Sequence, residues 1–424
     1  MELAEKSDQN PTLRLGRELS LRKGYKKSER LKKIKAFALV FPLLMFSVSM
    51  FVFPIVVMFK NSIVDSELVQ AWHNTPEVIQ NWPGHDLPSD DIFFAVANDI
   101  VISSSERGLA AVARRLNYEK SGMRSLLSRT GRKVKKDSFT TPSEAKALLL
   151  NVDSRWGEVS TWQAIKRASS IMTSKYLLQS LDLKINNEGS LAKVDESSAI
   201  YFGILIKTLF ISFVVTLTCL ALGFPLAHLI ANSSEKTSRI MLIFVLLPLW
   251  TSLLVKTSAW MVLLQKNGLA NNLLQGLGVI SEPLSILYAR PAVYIAMTHL
   301  LLPFMILSLY SVMKNIPPSY FRAAISLGAT PVKAFLKVYI PLALPGIVAG
   351  CLLCFVISLG YYITPALVGG AGDQMLSYFI AYYTNTSMNW GLASALGVVL
   401  FVISLILFYL YINLSSSKEE RVKS

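Results

Sequence analysis

The sequence predicts an all-α, polytopic membrane protein with six transmembrane helices and a helical extracytoplasmic insert between the first and the second. Hydrophobic residues make up 52% of the 424 residues, and the mean hydropathy is +0.45. Six apolar runs are long enough to cross the roughly 30 Å hydrocarbon core of a bilayer. Between the first two runs lie about 140 residues of mixed composition, which is typical of a water-exposed domain.

The N-terminal segment, residues 1–35, is a basic tail with eleven Lys or Arg and five Asp or Glu. The first span, residues 36–59, follows it directly. Because no small-residue cleavage site follows this span, we interpret it as an uncleaved anchor. A basic tail before a first span is the usual signal for a cytoplasmic N-terminus, so we expect no nucleic-acid partner.

The insert, residues 60–199, contains four of the seven tryptophans and, after Lys60, 17 basic and 17 acidic side chains. Residues 141–144 and 160–163 both have the capping-box form that starts a helix. We interpret the basic cluster 129–136 as a solvated loop. Other parts of the insert are predicted to be mostly helical, namely residues 95–102, 109–116 and 165–183.

Five further spans form a core, residues 200–414, and a short cytoplasmic tail, residues 415–424, follows. The short connections assigned to the inside contain six Lys or Arg, whereas those assigned to the outside contain two. This bias predicts that both termini are cytoplasmic. The five predicted spans are 200–231, 240–264, 291–313, 345–368 and 391–414.

Several function classes are disfavoured by what the sequence lacks. No predicted span contains Asp or Glu, although ion-coupled carriers commonly need intramembrane carboxylates. No His is followed by Glu and no Gly by Lys, which excludes the H-E-x-x-H zinc site and the Walker A loop. We therefore predict no catalytic residue, no metal site and no enzyme activity in this chain.

The ionisable side chains within spans have ordinary explanations. Lys207 and Lys256 can extend to an interface, although Lys256 could instead repel or position a substrate. For His228 and His299 we expect interhelical hydrogen bonds. The pair formed by Cys351 and Cys354 is expected to serve packing rather than redox chemistry or metal binding.

A polar interruption in the apolar C-terminal half, residues 314–340, predicts two short helices joined by a corner. Gly328 suits the left-handed position that ends the first helix. Thr330 can cap a second helix with Pro331 at its first position, and Pro341 is expected to end it. A compact elbow with an apolar face and basic flanks suits a partner's groove, and a loop lying in the lipid interface is the alternative.

This elbow resembles the EAA loop of ABC importer permeases, which has Glu-Ala-Ala, a Gly four positions after the second Ala, and an ending similar to Ile-x-x-Pro. The departure is Arg322, which occupies the place of the Glu. The residues at matching places are Ala323, Ala324, Gly328, Ile340, Pro341, Pro345 and Gly346.

Further stretches resemble spermidine/putrescine-type permease subunits. They are Leu247–Leu274, with its Leu-Pro-Leu-Trp-Thr start, Leu301–Met305, and Gly360–Gly370, with Tyr-Tyr-Ile-Thr-Pro. With the elbow they cover about residues 200–414, half of the chain.

The resemblance implies a permease subunit of an ATP-driven importer in a bacterial inner membrane, which translocates a small organic solute such as a polyamine or a related cationic amine. It implies a second homologous permease, a cytoplasmic ABC ATPase dimer that binds ATP and Mg, and an extracytoplasmic solute-binding protein. No cofactor is expected on this chain. Apolar contacts to the ATPase are expected from Phe321, Ala324, Phe335 and Tyr339. The residues assigned to the coupling loop are Phe321, Arg322, Ala323, Ala324, Gly328, Phe335, Tyr339 and Pro341.

Aromatic and hydroxyl side chains near the outer ends of spans are candidates for the substrate pathway, since cations bind aromatic faces. An interfacial aromatic belt is the alternative. Asp373 and Glu282, the carboxylates of the short outer loops, could contact an amine or the binding protein, or be solvated. The candidate pathway residues are Trp250, Thr251, Trp260, Tyr361, Tyr362 and Thr364.

A second hypothesis is a membrane sensor or assembly protein that uses the insert for extracytoplasmic recognition. Only about ten residues follow the last predicted span, too few for an output domain. An intramembrane enzyme would need paired catalytic groups, which the spans lack.

Overall fold

The chain divides into two units, Met1–Lys60 and Asn61–Ser424. The structure is a computed structural model, and the residues it describes are 11–105, 108–136, 139–186, 190–195 and 199–423.

The described residues of the first unit, 11–60, are helical. They form α1 (Pro11–Ser47), a π-helix (Val48–Val52) and α2 (Phe53–Ile63), whose last three residues belong to the second unit. Within this run Ser28–Ile63 is long and apolar enough to cross a membrane, with a mean hydropathy of 2.4, and it contains the predicted first span.

Within its described residues the insert consists of helices and one antiparallel strand pair. In the antiparallel pair β1–β2, Leu183 lies opposite Lys193. The helices build one apolar core around Trp72, Trp156 and Trp162, which are fully buried. The elements are α3 (Glu67–Ala71), α4 (Thr75–Ile79), α5 (Asp90–Ser105), α6 (Leu109–Glu119), α7 (Met123–Val134), α8 (Pro142–Val152), a 3-10 turn (Ser154–Gly157), α9 (Val159–Ala168), α10 (Lys175–Gln179), β1 (Leu183–Ile185) and β2 (Leu191–Lys193).

Three local predictions for the insert were wrong. The basic cluster 129–136 lies mostly in α7, because Leu126, Thr130 and Val134 recur at helical spacing and are buried while the basic side chains face outward. Ser160 caps no helix, since α9 already begins at Val159. Residues 165–183 are not mostly helical, because α9 ends at Ala168, α10 covers only Lys175–Gln179 and β1 begins at Leu183.

The capping box at Thr141 is confirmed. The Thr141 hydroxyl accepts a hydrogen bond from the Glu144 backbone N–H, and the Glu144 carboxylate accepts one from the Thr141 N–H. Two donors that the helix leaves unpaired are thereby satisfied at the start of α8.

The core contains four further helical runs that are long and apolar enough to span a membrane and one bent pair. The three helices α11, α15 and α18 pack most extensively on one another. The elements are α11 (Tyr201–Asn232), α12 (Glu235–Leu246), a 3-10 turn (Leu247–Trp250), α13 (Leu253–Leu264), α14 (Leu269–Gly276), α15 (Arg290–Met313), α16 (Pro318–Ser326), α17 (Pro331–Ala334), a π-helix (Phe335–Tyr339), α18 (Ile340–Gly360), α19 (Ile363–Val368), a 3-10 turn (Ala371–Asp373), α20 (Leu376–Asn385) and α21 (Trp390–Lys423).

Two predicted spans differ in shape from the expectation. The span 240–264 is broken, because Glu235–Trp250 and Leu253–Gly276 meet at a bend of 96°. Pro248 supplies no amide hydrogen, and Thr251 and Ser252 after the 3-10 turn are extended, so the helix does not continue. The span 345–368 ends at Gly360, and α19 is a separate helix.

Small residues and thiols let the three central helices approach closely. A Cβ at Gly350 of α18 would lie 2.8 Å from the Met305 sulfur of α15. The Cys219 thiol donates to the Thr298 carbonyl and the Cys354 thiol to the Leu301 carbonyl, each at 3.6 Å. This placement agrees with a packing role for the thiols.

The insert is attached to one end of the core by polar and aromatic contacts. The Tyr118 hydroxyl donates to the Ser387 carbonyl at 2.6 Å. Tyr176 packs in one apolar cluster with Leu376 and Leu392, and its ring lies directly over Gly391. The insert and the start of α21 therefore share one packed interface.

Candidate functional site

The corner of the elbow has the predicted geometry. Gly328 has φ +88°, and its N–H donates to the Ile325 carbonyl at 2.9 Å. The Ala329 N–H donates to the Ala324 carbonyl at 3.1 Å, which completes a Schellman motif at the end of α16. The Thr330 hydroxyl then accepts from the Lys333 N–H and caps α17.

The second helix of the elbow does not end at Pro341, contrary to the expectation. The helical run continues through the π-helix into α18 and reaches Gly360. Pro341 cannot donate a hydrogen bond, but the preceding Ile340 N–H bonds the Phe335 carbonyl five residues back. This π-type turn lets the helix continue although Pro341 lacks an N–H, and a similar turn precedes Pro54 in the first unit.

The outward face of the elbow combines apolar and basic side chains. Leu327 is the most exposed of them, at 88%. Ala323 and Pro341 are also exposed, and Ala324 is half-buried. The other exposed side chains on this face are Ile325, Val332, Leu336, Arg322, Lys333 and Lys337.

Two aromatic residues of the elbow face the spans instead. Phe335 and Tyr339 stack with ring centroids 5.4 Å apart, and both lie edge-on to His228 at the end of α11. Tyr339 is only 7% exposed. Both rings pack within this chain, Phe335 stays half-buried, and contact of the pair with a partner remains a prediction. They join the elbow to α11.

A cleft with a volume of ≈ 230 Å³ opens between the elbow and the end of α11. The Asn232 amide lies in its wall and donates to the His228 carbonyl at 2.8 Å. No pattern in the sequence links this helix end to the elbow, although His228 and Asn232 are four residues apart and share a helix face. The lining residues are His228, Asn232, Ile316, Pro317, Pro318, Tyr320, Phe321, Arg322, Phe335, Val338, Tyr339 and Leu342.

The six candidate pathway residues form three pairs, and two of these pairs lie at the surface of the core or close to it. Trp250 is 83% exposed and Thr251 is exposed as well, both at the break in the second core span, a placement typical of an interfacial belt. Tyr362 is 39% exposed and Tyr361 is half-buried beside it. Trp250 is therefore more exposed than either tyrosine, and the two pairs lie in different parts of the core.

The other two pathway candidates are engaged in hydrogen bonds between helices. Trp260 Nε1 donates to His299 Nδ1 at 3.2 Å, which provides the interhelical hydrogen bond expected for His299. The hydroxyls of Thr257 and Thr364 lie 3.1 Å apart and are buried. These groups hold α13 against α15 and α19.

The carboxylates of the short loops have different surroundings. Asp373 is buried and accepts a hydrogen bond from Arg290 Nε at 2.8 Å, so it is neither solvated nor free for a solute. Glu282 is exposed. Among the residues that the structure describes, no group of His, Cys, Asp and Glu is arranged to hold a metal ion.

Comparison with known proteins gives relatives over the C-terminal half. Residues 220–418 match the family described as "Binding-protein-dependent transport system inner membrane component". The spermidine/putrescine transport system permease protein PotB of Salmonella typhimurium strain SL1344 is 32% identical over 223 residues, which cover 53% of this chain and 78% of the relative. PotB of Escherichia coli K12 is 31% identical, covering 53% and 82%. The inner membrane ABC transporter permease protein YdcU of the same strain is 36% identical, covering 49% and 70%.

Solved structures were also matched. A bacterial alginate ABC transporter in complex with its alginate-bound periplasmic protein has a TM-score of 0.43 at 20% identity and covers 51% of this chain and 78% of that chain. The MetNI methionine ABC transporter has a TM-score of 0.40 at 20% identity, with coverages of 51% and 94%.

Proposed function

The chain belongs to the family of binding-protein-dependent inner-membrane permeases and is a permease subunit of an ABC importer, and on that premise we propose that it moves a polyamine or a related small cationic amine inward. The observation that supports this substrate class is the 31–32% identity to the PotB proteins over 78–82% of their length. An extracytoplasmic binding protein would deliver the solute, and a second permease would form the other half of the pathway.

The elbow is the proposed contact with a cytoplasmic ATPase. Its exposed apolar side chains, Leu327 above all, would be buried in a groove of that subunit, at about 25 cal/mol for each Å² removed from water. The positive-inside bias supports a cytoplasmic position for the elbow. ATP and Mg would be bound by the ATPase.

Movement of the ATPase would reach the pathway through two rigid connections. One is the unbroken helical run Pro331–Gly360, which makes the elbow and a span one element. The other is the edge-on contact of the Phe335 and Tyr339 rings with His228, which joins the elbow to α11. Displacing the elbow would therefore displace two helices of the central bundle together.

On the outer side, the tyrosine pair is the candidate for contact with the amine. Tyr361 and Tyr362 would each contribute about 0.5–2 kcal/mol through cation–π attraction. Thr364, Trp260, Trp250 and Thr251 are the remaining candidates, with Thr364 and Trp260 held by hydrogen bonds to other helices.

The proposal is tested by purifying the tagged full-length chain from native membranes in mild detergent. We expect an ABC ATPase and a second permease to copurify. We further expect cells lacking this chain to lose uptake of labelled putrescine or spermidine. Purification of the chain alone would contradict the importer assembly, and normal uptake of both amines would contradict the substrate class.

A further inference from the structure

The cleft between the elbow and α11 has the lining of a site for an acidic group. Arg322 lies in its wall and is exposed, and no ion pair or side-chain hydrogen bond joins it to another described residue. None of the lining residues is acidic, and the sequence contains no Asp or Glu between Glu282 and Asp373. The cleft therefore presents an unneutralised guanidinium.

A buried donor in the same wall also lacks a partner. Tyr339 is 7% exposed, and its hydroxyl lies near Asn232 but makes no hydrogen bond of good geometry with any described group. A buried polar group left unpaired is destabilising, so such groups usually find a partner. The Arg322 guanidinium adds N–H donors to this wall, whereas the Asn232 amide is already paired with His228. A carboxylate, which only accepts hydrogen bonds, matches this donor set.

The rest of the lining favours a protein side chain as the occupant. Ile316, Phe321, Phe335 and Leu342 provide apolar surface that suits the methylene stem of a Glu or Asp better than a free hydrated anion. The Arg322 side of the cleft also adjoins the exposed apolar face of the elbow, which the proposed function buries against the ATPase. Docking of the ATPase on this face would therefore place one of its side chains in the cleft.

We propose that the cleft receives an acidic side chain of the ATPase subunit, whose carboxylate pairs with Arg322 and accepts a hydrogen bond from the Tyr339 hydroxyl. This inference rests on the proposed function. It gives Arg322 a role that a Glu at that place cannot fill, because the sign of the charge required on the partner is reversed.

The test measures how much ATPase copurifies with tagged full-length chain over a salt series. R322E should reduce the retained ATPase by about tenfold or more, because it removes a charge-assisted hydrogen bond and places two acidic groups against each other. Y339F should reduce it by about fivefold, as expected for a neutral hydrogen bond. K236E is the matched control, because Lys236 is exposed at the start of α12, lies outside the elbow and does not line the cleft, and it should change retention by less than about twofold.

A charge exchange identifies the partner group. With R322E as background, the acidic residues of the copurified ATPase are replaced by Arg one at a time, and one of them should restore retention. If R322E behaves like K236E, or if no exchange restores binding, the inference is wrong while the importer assignment stands. If the unmodified chain retains no ATPase, the proposed function itself fails. Unchanged thermal unfolding of each variant chain confirms that folding is intact.

Discussion

Glu119 is the centre of a buried ion network in the insert. Its side chain is 4% exposed and accepts hydrogen bonds from Arg115 at 2.9 Å and Lys175 at 2.7 Å, with Arg167 at 3.2 Å. Burial alone would raise the pKa of Glu119, but the positive charges of Lys175 and Arg115 and their hydrogen bonds lower it to about 2. Asp65 on the other side of Arg115 completes the network.

This lowered pKa predicts acid sensitivity of the insert. The carboxylate contributes its full stabilisation above about pH 4.5, its ordinary pKa, and loses it as the pH falls towards 2. The difference corresponds to about 3 kcal/mol of unfolding free energy. Tryptophan fluorescence of the purified chain between pH 7 and 2 should show this loss, and E119Q should flatten the curve. Exposed Asp86 supplies the control D86N, which should leave the curve as it is.

Gly391 illustrates how a single methyl group can matter at the joint between insert and core. A Cβ at this position would overlap the ring of Tyr176, which is 3% exposed and cannot move freely. Tyr176 also donates a hydrogen bond to Asp65 at 2.6 Å, which fixes the ring. A side chain at position 391 therefore cannot fit at the start of α21 unless the Tyr176 ring moves.

We expect G391A to destabilise the chain by about 1–3 kcal/mol, the usual cost of overpacking. A Cβ at Gly203, near the start of α11, would have no atom within 4 Å, so G203A is the matched control and should be neutral. Thermal unfolding in detergent measures both. Equal midpoints for the two variants would show that the ring over Gly391 can yield.

The elbow acts as one element because its corner, cap and π-turn each satisfy backbone groups. Gly328 closes α16, Thr330 opens α17, and the turn before Pro341 connects α17 to a span. A Cβ at Gly328 would meet nothing within 4 Å, so the cost of a substitution there comes from the backbone alone. A substitution at Gly328 therefore changes the preferred backbone conformation without introducing a steric clash.

Replacing Gly328 tests whether the corner couples ATP hydrolysis to transport. G328A should cost roughly 1 kcal/mol in the left-handed conformation and weaken solute-stimulated hydrolysis by the copurified complex several-fold. G328N should retain more activity, because Asn tolerates this conformation. If G328A transports and hydrolyses as well as the unmodified chain, the corner has no coupling role.

At the scale of the whole molecule, the distribution of charge and the helical runs define a multi-pass membrane protein. The structure contains five helical runs able to cross a bilayer, or six when the bent pair is one span, within the described residues. With the bent pair counted as one span, three crossings lie between the insert and the elbow, so we expect the two on opposite sides of the membrane.

Cysteine labelling tests this topology. A thiol-reactive, membrane-impermeant reagent should label K333C only after the cytoplasmic side is made accessible, and R132C, on the exposed face of α7, from outside. Cys219 and Cys354 are buried and give little background. Labelling of both positions from the same side would rule out an odd number of crossings between them.

Local chemistry in the elbow was predictable from sequence because Gly, Thr and Pro act on their own backbone neighbours. The positive φ of Gly328 and the cap at Thr330 depend on residues within a turn, and both are as expected. The fate of Pro341 was not predictable in this way. Whether a helix stops or continues through a π-turn depends on what packs around it, here the contact of Phe335 and Tyr339 with α11.

The sequence by itself determined the class of the protein, since hydropathy, charge bias and the spacing of turn residues are properties of contiguous segments. Only the tertiary structure decided the attachment of the insert at Gly391 and the cleft at Arg322. Each of these depends on packing between residues far apart in the chain, and long-range packing leaves no periodic signal in a single sequence.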